Sequence, residues 1–293
     1  MRYSIIHQTT YEYHNAVSVS HHLLRLKPRE RPHQRILEYH LQSEPAAAVM
    51  DSHADYFGNQ VSFLTIEGPH RQLTVTSRCQ VEVLIPPQIE PAVTPAWETV
   101  YAQCRGDACN TCAEACEFNF SSPLVPVRSE IKQYAAPAFS SNRPILEAAV
   151  ELMARIHQDF KFDTQATTVA TPVEQVFRQR RGVCQDFAHL QIACLRAVGL
   201  PARYVSGYLE TVPPPGQPKL IGADASHAWV QLWCGEIGWL DLDPTNNLLP
   251  AEHHITLGWG RDFADVSPLR GVLVGSGNHE LKVAVDVNQV PAG

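Results

Sequence analysis

The chain has 293 residues, 44% of them hydrophobic and 18% charged, with a formal net charge of -7 at pH 7. Those proportions exclude a disordered or fibrous chain and leave room for two domains with a sizeable core. The acidic balance gives no general attraction to nucleic-acid phosphates or anionic lipid, so neither nucleic acid nor membrane is expected as a partner. The opening "MRYSIIHQTTYEYH" lacks the basic stretch and apolar run of a secretory signal, and no run approaches the ~18–20 apolar residues of a membrane span. A cytoplasmic location is the expectation, and the eight cysteines are too dilute for a disulfide framework.

From Tyr3 to about Leu84 the chain reads as short β-rich runs separated by turn residues, among them "ILEYHLQSE" and "DYFGNQVSFLTIEG". The run "RQLTVTSRCQVEVL" alternates, with Leu73, Val75, Ser77, Cys79, Val81 and Val83 on one side. Gly58-Asn59 signals a tight turn, and the proline-rich "IPPQIEPAVTP" reads as a linker. An antiparallel β domain over 1–88 is therefore predicted, with a second domain over 89–293.

The second domain begins with helix-forming stretches. "VRSEIKQYAAPAF" is one, and "RPILEAAVELMARIHQDFKFD" has apolar spacing at Ile145, Ala149, Leu152 and Ile156. "TPVEQVFRQRRGVC" starts on a threonine cap with proline at the first helical position and ends at Gly182, which delivers the chain to Cys184. Beyond it, Phe187, Leu190, Cys194, Leu195 and Val198 form the stripe of a core-facing helix that stops at Gly199. Cys184 lies off that stripe, in the first turn. Free backbone amides and the positive helix end favour a thiolate there and help to hold an oxyanion. A small thiol filling a core gap is the other reading of the position, so its partners decide.

"SHAWVQLWCGEIGWLDLDPTNN" reads as two alternating strands around a glycine-flanked loop, with His227, Trp229, Gln231 and Trp233 on one face. A thiol nucleophile needs an imidazole as base and a carboxylate to orient that imidazole. A two-residue turn at Glu236-Ile237 would pair Val230 with Asp243 and put the acid on the wrong side. An odd loop over Gly235 to Ile237, with Gly238 allowing a bulge, pairs Trp229 with Asp243 and leaves His227 diagonal to it, roughly 7–8 Å away between Cα atoms. The odd loop is predicted. Asp243 also reads as the turn acid that opens "DPTNN".

The Cys-His-Asp order, carried by "GVCQDFAHL", "ARYVSGY", "SHAWV" and "WLDLDPTN", resembles the transglutaminase-like superfamily of papain-type thiol folds, and in particular its bacterial two-domain members. "TTYEYHNAVSVSHHLLRLKPRE" and "DYFGNQVSF" resemble their β-rich N-terminal domain, and "GWGRDFADVSPLRGV" their C-terminal segment. The resemblance implies an α+β fold: a papain-like core, in which a helix packs on an antiparallel sheet, preceded by the antiparallel β domain. It implies a Cys184, His227, Asp243 triad without a cofactor or metal, acting on an amide bond of a peptide or protein. Hydrolysis is favoured, and an amine acceptor in place of water would give transamidation. A catalytically idle module that binds a peptide or partner on the same fold is the alternative.

Asp186 and His189 follow the nucleophile and match the family pattern. They read as dipole compensation and a satisfied polar contact, or else as substrate contacts. Asp224 is near enough along the chain to shape the His227 loop, and Trp229 shares the His227 face. Arg261, Asp262 and Asp265 read as a structural ion-pair group tying the tail to the core. Cys104, Cys109, Cys112 and Cys116 could hold zinc or an iron–sulfur cluster and would then point to a redox protein. Their spacing departs from the usual zinc pattern, and one buried helical face explains three of them without a metal. His21-His22 and His253-His254 are weak as metal signals, because adjacent residues of a strand point apart.

Overall fold

The computed structural model describes residues 1–105, 112–211, 226–275 and 277–291. Its first sheet is built on two long antiparallel strands, β1 (Arg2–Leu24) and β4 (Gln60–Val83). β2 (Gln34–Glu44) and β3 (Val49–Ala54) both pair with the far edge of β4. The Gly58-Asn59 signal does close the β3–β4 hairpin, and Asp55 Oδ1 holds that turn by accepting the amides of Phe57 and Asn59. Elsewhere the short runs merge into longer strands than their turn residues suggest. β1 continues through its polar interruption by shifting register between Glu12 and Val19, as bulged strands do.

The chain then builds α1 (Trp97–Gln103), α2 (Ala113–Cys116), α3 (Ser129–Ala135) and α4 (Ile145–Asp159). Strand β5 (Lys161–Phe162), helix α5 (Val173–Gln179) and strand β6 (Arg181–Gly182) lead to α6 (Cys184–Ala197). After it come β7 (Ala202–Leu209), β8 (Ser226–Trp233), β9 (Trp239–Leu242), β10 (His254–Gly260) and the short α7 (Phe263–Val266). The second sheet is antiparallel in the order β10-β7-β8-β9. The apolar stripe predicts one core face for α6, but the structure buries every residue from Gln185 to Ala197. The sheet covers one side and α3, α4 and α5 cover the other. Leu190, Ile192 and Leu195 have no exposed surface, and burying each contributes about 1.5–3 kcal/mol. The polar residues of this helix survive burial by being partnered: Arg196 donates to the carbonyls of Ala202 and Arg261 and to Ser122 Oγ.

The last strands, β11 (Leu269–Val274) and β12 (His279–Val290), do not extend the second domain, although the division at residue 88 places them there. Both pair with β1, β12 along Arg2–Tyr13 and β11 along Val19–Leu24. Alternation marks a strand without naming its neighbour, and the outer edge of a strand as long as β1 needs covering. Val285 and Val287 of β12 join Tyr3, Ile5, Val81 and Val83 against Tyr208, Ile255 and Leu257 of the second sheet. A single apolar layer thus joins the two sheets. No described helix is long and apolar enough to cross a membrane.

Three buried histidines make this packing sensitive to acid. His7, hydrogen-bonded to the Tyr208 hydroxyl at 2.9 Å, and His22 in the first sheet are both held neutral by burial, with pKa values lowered to about 4. His189 in α6 is likewise lowered to about 4 by burial, although Asp262 opposes the shift. Between pH 6.5 and 4 the unfolded chain binds protons here that the folded chain refuses. This contribution to stability is therefore complete above about pH 6.5 and falls as pH drops through 4. Urea unfolding across that window is expected to show stability falling toward acid, and His7→Gln should reduce the slope by about one proton, or ~1.4 kcal/mol per pH unit at its steepest.

Candidate active site

Cys184 is the first residue of α6, where the unpaired amides of a helix start are found. Val183 before it is extended, and Asp186 turns back to accept the Val183 amide at 2.8 Å and the Thr167 hydroxyl at 2.6 Å on Oδ2. Burial pushes the Asp186 carboxyl up, while these two donors counter that rise. Asp186 therefore holds the turn that presents the thiol. Cys184 itself is partly exposed.

His227 stands near the start of β8, where it pairs in register with Gly207 of β7. Its Nε2 lies 2.8 Å from Asp243 Oδ2, and the thiol of Cys184 is within hydrogen-bonding reach of the same imidazole. With Nε2 engaged by the carboxylate, Nδ1 is left for sulfur. Burial pulls the imidazole pKa down, but the hydrogen bonds to Asp243 and Cys184 outweigh it and raise the value to about 9. The acid arrives through the odd loop. β8 and β9 pair from Trp233↔Trp239 to Val230↔Leu242, with a tight 3-10 turn at Gly235–Ile237 and Gly238 at φ 88°. Extending that register places Trp229 opposite Asp243. Only glycine adopts such a φ without strain.

Asp243 has no exposed surface. Its Oδ1 accepts the amides of Thr245 at 3.0 Å and Asn246 at 3.2 Å, so it does open the "DPTNN" turn. Its Oδ2 accepts from His227 at 2.8 Å, from Asn246 Nδ2 at 2.7 Å and from His254 Nε2 at 3.0 Å. Burial alone would raise its pKa, yet these donors hold the carboxyl well below the usual range. Ligand-type atoms of His227, Asp243 and His254 lie within 4.8 Å of one another, and hydrogen bonds join both imidazoles to the carboxylate.

Residues 3–82 match the bacterial transglutaminase-like N-terminal region, and residues 132–244, which include Cys184, His227 and Asp243, match the transglutaminase-like superfamily core. The chain belongs to the transglutaminase-like superfamily. An uncharacterized protein of Mycobacterium tuberculosis is 42% identical over 98% of this chain and 92% of its own length. A segment of a Pseudomonas aeruginosa protein-glutamine gamma-glutamyltransferase is 36% identical over 34% of this chain, which spans 16% of that enzyme. The fold is shared with a candidate cysteine protease from Cytophaga hutchinsonii, at a TM-score of 0.76 and 20% identity over 100% of this chain and 92% of that one.

Within this transglutaminase-like core the other predicted residues divide. Trp229 is buried with its ring 6.1 Å from His227, and it donates Nε1–H to Asp241 at 2.8 Å. His189 faces elsewhere: its Nε2 accepts the Phe263 amide at 3.1 Å and its ring packs on Tyr204, so it anchors α7. Asp262 caps α7, and Arg261 and Asp265 form a two-pronged ion pair at 2.9 Å. Asp224 lies outside the described residues, as does Cys109. Cys112 is disulfide-bonded, whereas Cys104 and Cys116 are free and close together. Burial and the neighbouring Cys116 push the Cys104 thiol up to about 12, and burial does the same to Cys79 and Cys194. The sequence alone assigns no part in the site to His254, Asn246 or Arg31. Arg31, in the first domain, donates to Asp241 Oδ2 at 2.9 Å and Thr256 Oγ1 at 2.6 Å. The "DPTNN" turn offered a signal for Asn246, and nothing local offered one for Arg31.

Gly207 is where this packing is tightest. A Cβ there would sit 2.3 Å from the Ile255 carbonyl and 2.3 Å from the Trp229 ring. Gly207→Ala is expected to cost about 1–3 kcal/mol and to displace Trp229 from behind the imidazole. Thermal unfolding and indole fluorescence measure the two effects, and an unchanged melting temperature would contradict the contact.

Proposed function

We propose that this protein catalyses thiol-dependent acyl transfer at an amide bond of a peptide or isopeptide, with water as the acceptor. The observation that carries the reading is one imidazole that bridges a helix-start thiol and a buried carboxylate. Cys184 sulfur attacks the amide carbonyl carbon as its proton passes to His227 Nδ1. The oxyanion forms beside the first amides of α6. The C–N bond breaks, His227 returns the proton to the leaving amine, and a thioester remains on Cys184. Water then attacks the thioester carbonyl while giving a proton to His227. The acid product leaves, and the proton returns to the thiol.

Water is favoured because Cys184 is partly exposed, and a transamidase must keep water from the thioester. Transamidation is the second reading, supported by the similarity to a segment of the Pseudomonas gamma-glutamyltransferase.

Alkylation by iodoacetamide across pH, with the modified cysteines mapped by mass spectrometry, tests the activated thiol without a known substrate. Cys184 should react first, and His227→Ala should slow that reaction near neutral pH. On a peptide that is turned over, Cys184→Ala should abolish activity and His227→Ala should lower kcat by about 10²–10⁴-fold. A Cys184 indifferent to His227 would leave the idle binding module as the better reading. Incorporation of a fluorescent primary amine in preference to hydrolysis would select transamidation.

A further inference from the structure

Three side-chain donors converge on a single oxygen of Asp243, and the matched core, which ends at residue 244, includes only one of them. The most buried of the other two is His254, at the start of β10 and paired in register with Leu209 of β7. Its Nε2 lies 3.0 Å from Asp243 Oδ2, and its ring meets the Trp229 ring nearly edge-on at 5.2 Å and lies 5.9 Å from the His227 ring. A carboxylate held ionised accepts and cannot donate, so the proton between them sits on His254 Nε2. The other nitrogen, Nδ1, is buried and has no hydrogen-bond partner among the described residues. A phenyl ring would fill this place without that costly unmade bond. Among the described residues, the one polar contact the imidazole gains in exchange is the bond to Asp243.

We propose that His254 is a positioning residue for the acyl transfer described above: its Nε2–H fixes Asp243 Oδ2 against His227 and withdraws part of the carboxylate charge from the Cys184–His227 pair. The proposal rests on that reading of the triad. Asp243 and His227 face His254 directly, and Arg31, His33 and Asp241 line a small cavity with it. Glu252 and His253 precede it in the chain, and His253 points the other way, toward Glu210. Without the second N–H, the Asp243 charge is shared among fewer donors and holds the His227 proton more tightly. The imidazolium then releases its proton less readily to the leaving amine.

The test is the pH profile of Cys184 alkylation in wild type, His254→Phe and His254→Gln, with melting temperatures recorded alongside. Phenylalanine keeps the ring and loses the donor, whereas glutamine keeps an amide donor at a similar reach. In His254→Phe the upper inflection of the profile, where the imidazolium loses its proton, is expected to rise by about half a unit or more. On a turned-over peptide, kcat should fall by about 10–100-fold with KM within about 2-fold. His254→Gln should restore the wild-type inflection and keep kcat within about 3-fold. Equal inflections in wild type and His254→Phe, or a glutamine variant that behaves like phenylalanine, would overturn the proposal. A wild-type Cys184 insensitive to His227→Ala is a different result and would remove the acyl-transfer reading itself. If His254→Phe does not fold, nitrogen NMR of histidine-labelled wild type decides: a proton on Nε2 of His254 agrees, and a proton on Nδ1 with bare Nε2 refutes it.

Discussion

A carboxylate with no exposed surface is the constraint around which the second sheet is arranged. An ionised group of this size taken out of water is costly by several kcal/mol unless donors replace its hydration. Asp243 receives five, from His227 on β8, from the backbone and side chain of the turn after β9, and from His254 on β10. Each of these elements is consequently held at hydrogen-bonding distance from one point. The same bonds that make the acid tolerable inside the protein also aim the imidazole, so stability and geometry at the site have one cause.

The first domain belongs to that arrangement. β10 is an edge strand of the second sheet, and its outer backbone groups would otherwise be unpaired. Two side-chain amides from the first domain take the place of a neighbouring strand. Gln34 both donates to and accepts from the backbone of Thr256, and Asn59 does the same to Trp259. Trp259 itself lies between the guanidinium groups of Arg29 and Arg203, at 3.6 Å and 3.8 Å. Arg31 extends the bracing to Asp241 and, through it, to Trp229 behind His227. The long strands β1 and β4, with β12 returned onto β1, give these clamps a rigid base.

Much of the site can be read from local sequence because local rules govern it. Gly182 and Gly199 bracket α6 and put Cys184 in its first turn, and two glycines set the odd β8–β9 loop that brings Asp243 onto the side of His227. What could not be read depends on which surfaces meet. The alternation of β12 marks a strand but not its place beside β1, and a stripe on α6 cannot show that other helices cover its back. His254 is the clearest case. The argument that adjacent histidines point apart is correct, since His253 turns toward Glu210. One member of the pair is thereby left to face Asp243. Only the pairing of β10 with β7 shows which member does so.

The number of donors on Asp243 also bears on how the imidazole can work. A lone carboxylate beside a buried imidazolium would hold its proton so tightly that return to a leaving amine would be slow, because proton transfer is most effective from groups titrating near the working pH. With burial opposing the pull of Asp243 and Cys184, the imidazole is raised to about 9, while Asn246 and His254 also donate to the carboxylate oxygen. That value is high enough for His227 to take the thiol proton near neutral pH and low enough for the proton to move on. Burial by Trp229 and the extra donors on the acid act in the same direction, both weakening the grip of the carboxylate on that proton. The first domain, by holding Trp229 and β10 in place, therefore supports the imidazole on which the proposed acyl transfer depends.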